Sequence, residues 1–203
     1  MSRRIAVLIS GRGSNIQSII DAVRERRLDA TIGVVISSRS EAAGLVRARE
    51  AGIDAQWVDP RRYRDRDAYD RAIVEALRSR DIDVVCLAGF MRLVGPPILA
   101  DFPDRVLNIH PSLLPAFPGL DAQRQAIDHG VRYAGATVHL VTSELDGGPI
   151  VLQAVVPVLA GDTVETLSAR ILVEEHRIYP EAIRLVLEGK WHLDGRRFVI
   201  DDR

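Results

Sequence analysis

Apolar residues follow two rhythms along this chain. Short unbroken runs, Ile5-Ala6-Val7-Leu8-Ile9, Ile32 to Ile36 and Val84 to Ala88, fit parallel strands covered on both faces. Between them the apolar positions take helical spacing, with Ile16, Ile19, Ile20 and Val23 at i, i+3, i+4 and i+7. Glu41 to Ala51 predicts a second helix stopped by Gly52, a short strand follows near Gln56 to Val58, and Asp67 to Ser79 predicts a third helix. This repetition predicts an α/β fold with a mostly parallel, doubly wound sheet.

The second half reads differently. Val106 to Ile109 predicts a short strand. Residues 110 to 119 contain Pro111, Pro115, Pro118 and Gly119, which excludes a helix or a central strand. The loop must turn sharply, so Leu114-Pro115 is a candidate cis bond. A short helix is expected around Gln123 to His129. Two long strands, Ala136 to Val141 and Ile150 to Val158, flank a polar, glycine-rich loop from Thr142 to Pro149. A last long helix from about Thr163 to Glu188, interrupted near Pro180, can start on an Asp162 or Thr163 cap. A hairpin turning at Asp194-Gly195 closes the chain, so antiparallel elements are expected in this half.

Composition narrows the class. The 203 residues, 47% hydrophobic and 27% charged, fit one soluble domain, 1–203, with a sizeable core. Net charge is −1 and Lys190 is the only Lys, so the basic surplus of a nucleic-acid binder is absent and small anionic ligands are expected. No run approaches the ~20 apolar residues of a membrane span, and the first strand is too short for a signal peptide core. Cys86 stands alone in an apolar strand, which predicts a small buried hydrophobe and agrees with a reducing cytoplasm. His129, His139, His176 and His192 form no pair with metal-ligand spacing, so no metal is expected.

Four groups of residues can carry chemistry. Gly11-Arg12-Gly13-Ser14-Asn15 follows the first strand and opens a helix. Free backbone N–H groups there suit a phosphate, or the loop is a tight turn with Ser14 or Asn15 as the helix cap. It matches neither a dinucleotide fingerprint nor a P-loop. Asn108 and His110 alternate on a strand and so share one face, at the end where doubly wound sheets bind ligands. Such a pair can donate to a carbonyl oxygen and move protons near neutral pH. Asp146, set among Gly147 and Gly148, is either a turn residue or a partner that favours the imidazolium of His110. Glu175 falls on the apolar face of the last helix, where an unpaired carboxylate is costly, so it pairs with an Arg or meets a polar ligand.

Taken with Leu87-Ala88-Gly89-Phe90-Met91-Arg92, Asn108 to Pro115 and Glu144 to Ile150, these segments resemble the phosphoribosylglycinamide formyltransferase family over nearly the whole chain. The resemblance implies a Rossmann-like formyltransferase fold, with a nucleotide-binding half (about 1–104) and a catalytic and folate-binding half (about 105–203). It implies 10-formyltetrahydrofolate as a consumed cosubstrate and glycinamide ribonucleotide as acceptor. Asn108 would bind the formyl oxygen, His110 would shuttle protons, and Asp146 would hold His110 and raise its pKa. Gly13, Ser14 and Asn15 would cradle the nucleotide phosphate, and Glu175 the ribose hydroxyls. Met91, Arg92, Leu93 and Val94 would line the pterin pocket. Arg66 and Arg92 would meet the folate glutamate, and Thr142, Ser143, Glu144, Leu145 and Asp146 would close over the ring.

Arg12 and Asp121-Ala122-Gln123 depart from the commoner family pattern. Three other readings are to be weighed. A 10-formyltetrahydrofolate hydrolase would use the same three polar residues with water as acceptor. It is expected to carry an extra N-terminal domain, for which a first strand near Arg4 leaves no room. Methionyl-tRNA formyltransferase is expected to add a C-terminal domain and a basic surface. A non-catalytic nucleotide or folate-binding module on the same fold is the other class. Monomer and homodimer are both compatible with the sequence.

Overall fold

Strands that are apolar on every residue need cover on both faces, and the computed structural model, which describes residues 3–201, supplies it. The strands β1 (Arg4–Ile9), β2 (Thr31–Ser37), β3 (Ala55–Trp57), β4 (Val84–Leu87) and β5 (Val106–His110) pair in parallel. Then the direction reverses. β6 (Tyr133–Leu140) runs antiparallel to β5, and β7 (Ile150–Pro157) antiparallel to β6. The closing hairpin β8 (Trp191–Asp194) and β9 (Arg197–Ile200) joins the edge, completing the order β3-β2-β1-β4-β5-β6-β7-β9-β8. The expected architecture, mostly parallel with an antiparallel C-terminal half, is present.

Helices divide between the two faces. α1 (Ser14–Arg24), α2 (Ala43–Glu50), α5 (Ala122–Asp128) and α6 (Val164–Glu188) bury Ile16, Leu45, Ala126 and Ile171 with Val7, Val35 and Val138. α3 (Arg66–Arg78) and α4 (Pro96–Asp101) bury Tyr69, Ile73 and Ile98 on the opposite face, with Leu8, Ile36 and Val85. α4 was not expected from the pattern. Its start, Pro96-Pro97, reads as a breaker in sequence, but proline's fixed φ suits a first helical turn. A 3-10 turn at Pro60–Arg62 was missed for the same reason.

The expected interruption of the last helix at Pro180 does not occur. α6 runs unbroken for 25 residues with Pro180 inside it. The missing N–H removes one helical bond, but Ile171, Ile178, Tyr179, Ala182 and Ile183 are fully or almost fully buried on the same stripe and hold the helix on the sheet. Tyr179 adds a tether by donating to the carbonyls of Leu87 (2.8 Å) and Leu107 (3.2 Å). Of the two proposed caps, Thr163 takes the position, accepting from Thr166 N in a reciprocal capping box. Cys86 is buried as expected, and burial pushes its thiol pKa up.

Candidate active site

The strand order turns back between β1 and β4, the place where sheets of this kind bind ligands beyond the carboxyl ends of their strands. On β5, Leu107 and Ile109 enter the core beneath α6, so Asn108 and His110 point to the other face. On β6, Ala136, Val138 and Leu140 do the same, leaving Thr137 and His139 beside them. Register places Asn108 opposite His139 and His110 opposite Thr137. This polar patch meets the loop 111–119 through Phe117 and the loop 142–149 through Asp146.

A hydrogen-bonded scaffold holds the first loop. Thr137 Oγ1 donates to Ser112 O (2.7 Å) and accepts from Leu114 N (3.1 Å). Gln153 donates to Leu114 O and to Thr137 Oγ1, both at 2.9 Å. Leu114-Pro115 is cis, as the proline pattern suggested. The loop then delivers two backbone groups to the patch. Phe117 O meets His110 Nε2 at 2.9 Å, and Gly119 N donates to Asp146 Oδ2 at 2.8 Å. A carbonyl only accepts, so His110 Nε2 carries hydrogen and Nδ1 turns toward the carboxylate.

Asp146 is the hub. Its side chain is 9% exposed, with Oδ2 3.5 Å from His110 Nδ1 and Oδ1 3.6 Å from His139 Nε2. Asn108 Nδ2 lies 3.4 Å from Oδ1. Burial alone would raise this carboxyl, but the His139 contact, the Gly119 N–H and the field of His110 outweigh it and hold it below its ordinary range. Asp146 is therefore a partner of His110, though the residue also takes a turn-type backbone, with φ at 49°. The patch unites an amide donor, an imidazole and a permanent negative charge, the equipment for stabilising an oxyanion and relaying a proton.

The residues that the resemblance assigns to the nucleotide come together at the end of β1. Gly13 takes φ 72° and caps α1 without any side-chain bond. A Cβ there would lie 2.6 Å from the Gly44 Cα, so only glycine fits. Neither Ser14 nor Asn15 is the cap, which leaves the first N–H groups of α1 for an anion. Asn15 instead donates from Nδ2 to Glu175 Oε2 at 2.6 Å, and its own Oδ1 is buried without a partner. Glu175 thus pairs with an amide rather than the Arg that burial suggested. Burial raises its pKa, and the Asn15 bond only partly offsets this.

The folate-assigned residues form two groups. Met91 N donates to Ser10 Oγ (2.9 Å), which in turn meets Ser38 Oγ (2.7 Å). Gly95 N donates to Asp70 Oδ2 at 2.6 Å. Between these anchors Met91 and Leu93 are exposed, Val94 packs on the core beneath, and the Arg92 guanidinium sits 5.1 Å from the Tyr69 ring centre. Arg66 borders the same anchor, since a Cβ on Gly95 would lie 3.2 Å from its Nε. The second group is the loop with Thr142, Ser143, Glu144 and exposed Leu145, where Glu144 N donates to Thr142 Oγ1 at 3.3 Å. Arg196 from the closing hairpin pairs with Glu144 and donates to Gly147 O.

Sequence reasoning missed Ser10, Asp70, Thr137, His139 and Gln153. Thr137 and His139 had a legible signal, since they alternate with Ala136, Val138 and Leu140. Asp70 had one as well, since it stands three and four residues before Ile73 and Val74 on the buried face of α3, as Glu175 does on its own helix. Among the described residues, no three His, Cys, Asp or Glu side chains are placed to hold a metal, and no helix is long and apolar enough to cross a membrane.

Comparison with known proteins bears on the family and the fold. The sequence model of the formyl transferase family matches residues 3–183. The phosphoribosylglycinamide formyltransferase of Escherichia coli is 47% identical over 192 residues, covering 95% of this chain and 88% of that protein. The trifunctional purine biosynthetic protein adenosine-3 of Bos taurus is 49% identical over 92% of this chain, which spans only 18% of its length. Among solved structures, glycinamide ribonucleotide transformylase 1 from Symbiobacterium toebii superposes with a TM-score of 0.97 at 61% identity, covering 98% of this chain and 94% of its own.

Proposed function

The chain belongs to the formyl transferase family, and from that premise we propose that it transfers the formyl group of 10-formyltetrahydrofolate to the amine of 5′-phosphoribosylglycinamide. The products are formylglycinamide ribonucleotide and tetrahydrofolate, a step of purine synthesis in the cytoplasm. The observation that carries this is the meeting of Asp146 with both His110 Nδ1 (3.5 Å) and Asn108 Nδ2 (3.4 Å).

The acceptor amine attacks the formyl carbon and a tetrahedral intermediate forms. Asn108 donates an N–H to the oxygen as negative charge develops. His110 helps bind that oxygen and carries protons from the attacking amine toward the departing N10 of the folate. The carboxylate of Asp146 steadies positive charge on the ring. General acid–base help of this type is worth ~10²–10⁴ in rate. The nucleotide phosphate sits on the α1 N-terminus at Gly13, Ser14 and Asn15, and Glu175 accepts from the ribose hydroxyls. Met91 to Val94 and the 142–146 loop take the pterin, with Arg66 and Arg92 toward its glutamate. The whole chain forms one formyltransferase domain.

The test is to mix the protein with 10-formyltetrahydrofolate, with and without glycinamide ribonucleotide, and follow folate absorbance and formylated product together. Product formation that requires the acceptor is expected. Folate release without acceptor would indicate a hydrolase, and binding without either reaction a non-catalytic module.

A further inference from the structure

His139 touches no reacting atom in the mechanism above, yet it is 2% exposed, lies directly across the sheet from Asn108, and sets its Nε2 3.6 Å from Asp146 Oδ1. Its Nδ1 meets the carbonyl of Leu140 at 2.9 Å. A carbonyl cannot donate, so Nδ1 carries the hydrogen. In the neutral ring Nε2 is then a lone pair that needs a donor. Asn108 Nδ2 provides it at 3.2 Å.

A carboxamide has two unlike edges, one that donates and one that accepts. Turning Nδ2 toward His139 commits the orientation. Both hydrogens sit on that nitrogen, so the second is held on the same edge. There it makes only a long contact, 3.4 Å, with Asp146 Oδ1, beside His110. An oxyanion entering between these groups would take that hydrogen in place of the long contact. A His139 ring with hydrogen on Nε2 would demand the amide oxygen instead, and Asn108 would then present an acceptor to a developing negative charge.

We propose that His139 is a positioning residue whose neutral, Nδ1-protonated tautomer makes Asn108 a hydrogen-bond donor toward the reacting formyl group. The Leu140 carbonyl selects the tautomer, the tautomer selects the amide edge, and the amide edge faces the reaction. The charged and titratable groups facing the ring are Asp146 from the loop and, through it, His110. The catalytic half of this inference rests on the proposed transferase reading; the tautomer and amide orientation do not.

The test joins spectroscopy to kinetics on the full chain. In protein labelled with ¹⁵N-histidine, His139 is expected to show a protonated Nδ1 and an unprotonated Nε2 at neutral pH. The Asn108 side-chain NH₂ should show a coupling or shift response to His139 substitution. His139→Phe keeps a flat ring but removes the acceptor, and kcat should fall roughly tenfold, the worth of about one hydrogen bond, with KM for the folate little changed. His139→Gln can again accept at the Nε2 position and should recover a substantial part of that loss. A protonated Nε2, or a His139→Phe enzyme with wild-type kcat, overturns the proposal. A fall in kcat that Gln does not recover, with the Asn108 NH₂ signals unmoved, overturns it too. Wild-type protein that transfers no formyl group would sink the transferase reading alone, leaving the tautomer measurement to decide the rest.

Discussion

Asp146 and Glu175 are both carboxylates withdrawn from water, one in each half of the site, and their acidities move in opposite directions. Asp146 has a backbone N–H, an amide and two imidazoles around it, and its pKa is lowered. Glu175 has one amide donor, from Asn15, and its pKa is raised. Burial pushes both upward, so the polar groups and charges facing each carboxyl decide the sign. Asp146 is already surrounded by polar partners, which suits the fixed charge that the proposed mechanism asks of it. Glu175 has the single donor Asn15, which suits the proposed role of accepting from ligand hydroxyls.

The largest effect should come from the imidazole that Asp146 serves. His110→Ala is expected to lower kcat by ~10²–10⁴ while thermal unfolding and folate binding stay near wild type. Steady-state kinetics beside a folate titration measures this, and wild-type turnover would remove Asp146's reason for being charged.

Asp146→Asn keeps the shape and removes the charge. A fall in kcat of roughly 10² is expected, within the span of general acid–base assistance. Stability gives a second readout. The folded pKa of Asp146 lies below its ordinary 3.8, so its contribution is present above that pH and lost as pH falls through the folded value. The variant should be less stable than wild type at pH 7, with the gap closing on acidification.

Glu175→Gln should behave in the opposite sense. The folded pKa is raised above 4.5, so the stability linked to this group is present below 4.5 and lost as pH rises through the folded value. The Gln variant should unfold at a higher temperature than wild type at pH 7, and the gain should vanish near pH 4. Affinity for the nucleotide should drop about tenfold, the scale of one charge-assisted hydrogen bond. A variant less stable at pH 7 would mean that Glu175 already has its donors and that the contrast with Asp146 is false.

The smallest effect calibrates the others. Thr163→Ala removes the cap of α6, the helix that carries Glu175, and should cost about 1 kcal/mol in denaturant unfolding. Nucleotide affinity should hardly change. A loss equal to that of Glu175→Gln would show that helix placement, rather than the carboxylate, governs that end of the site.

Much of this molecule was legible in its residues. Unbroken apolar strands, helical spacing in Ile16 to Val23 and the proline run of 110–119 are local patterns, and each acts through the residues next to it. That is why β1, α1 and the parallel order were foreseen, and why Asn108 and His110 could be assigned to one face. Pro180 misled for the same reason, since its local cost was plain while the burial that outweighs it was not. The partner choices were decided only by the fold. Asn15 reaches Glu175 across 160 positions, and Asp146 reaches Asn108 across 38. Residue type states what a buried polar group needs, whereas only packing states which distant group supplies it. His139 shows the limit most clearly. In sequence it is an unpaired histidine in a strand, and its lone pair gains a role only where the β5–β6 register sets an amide against it.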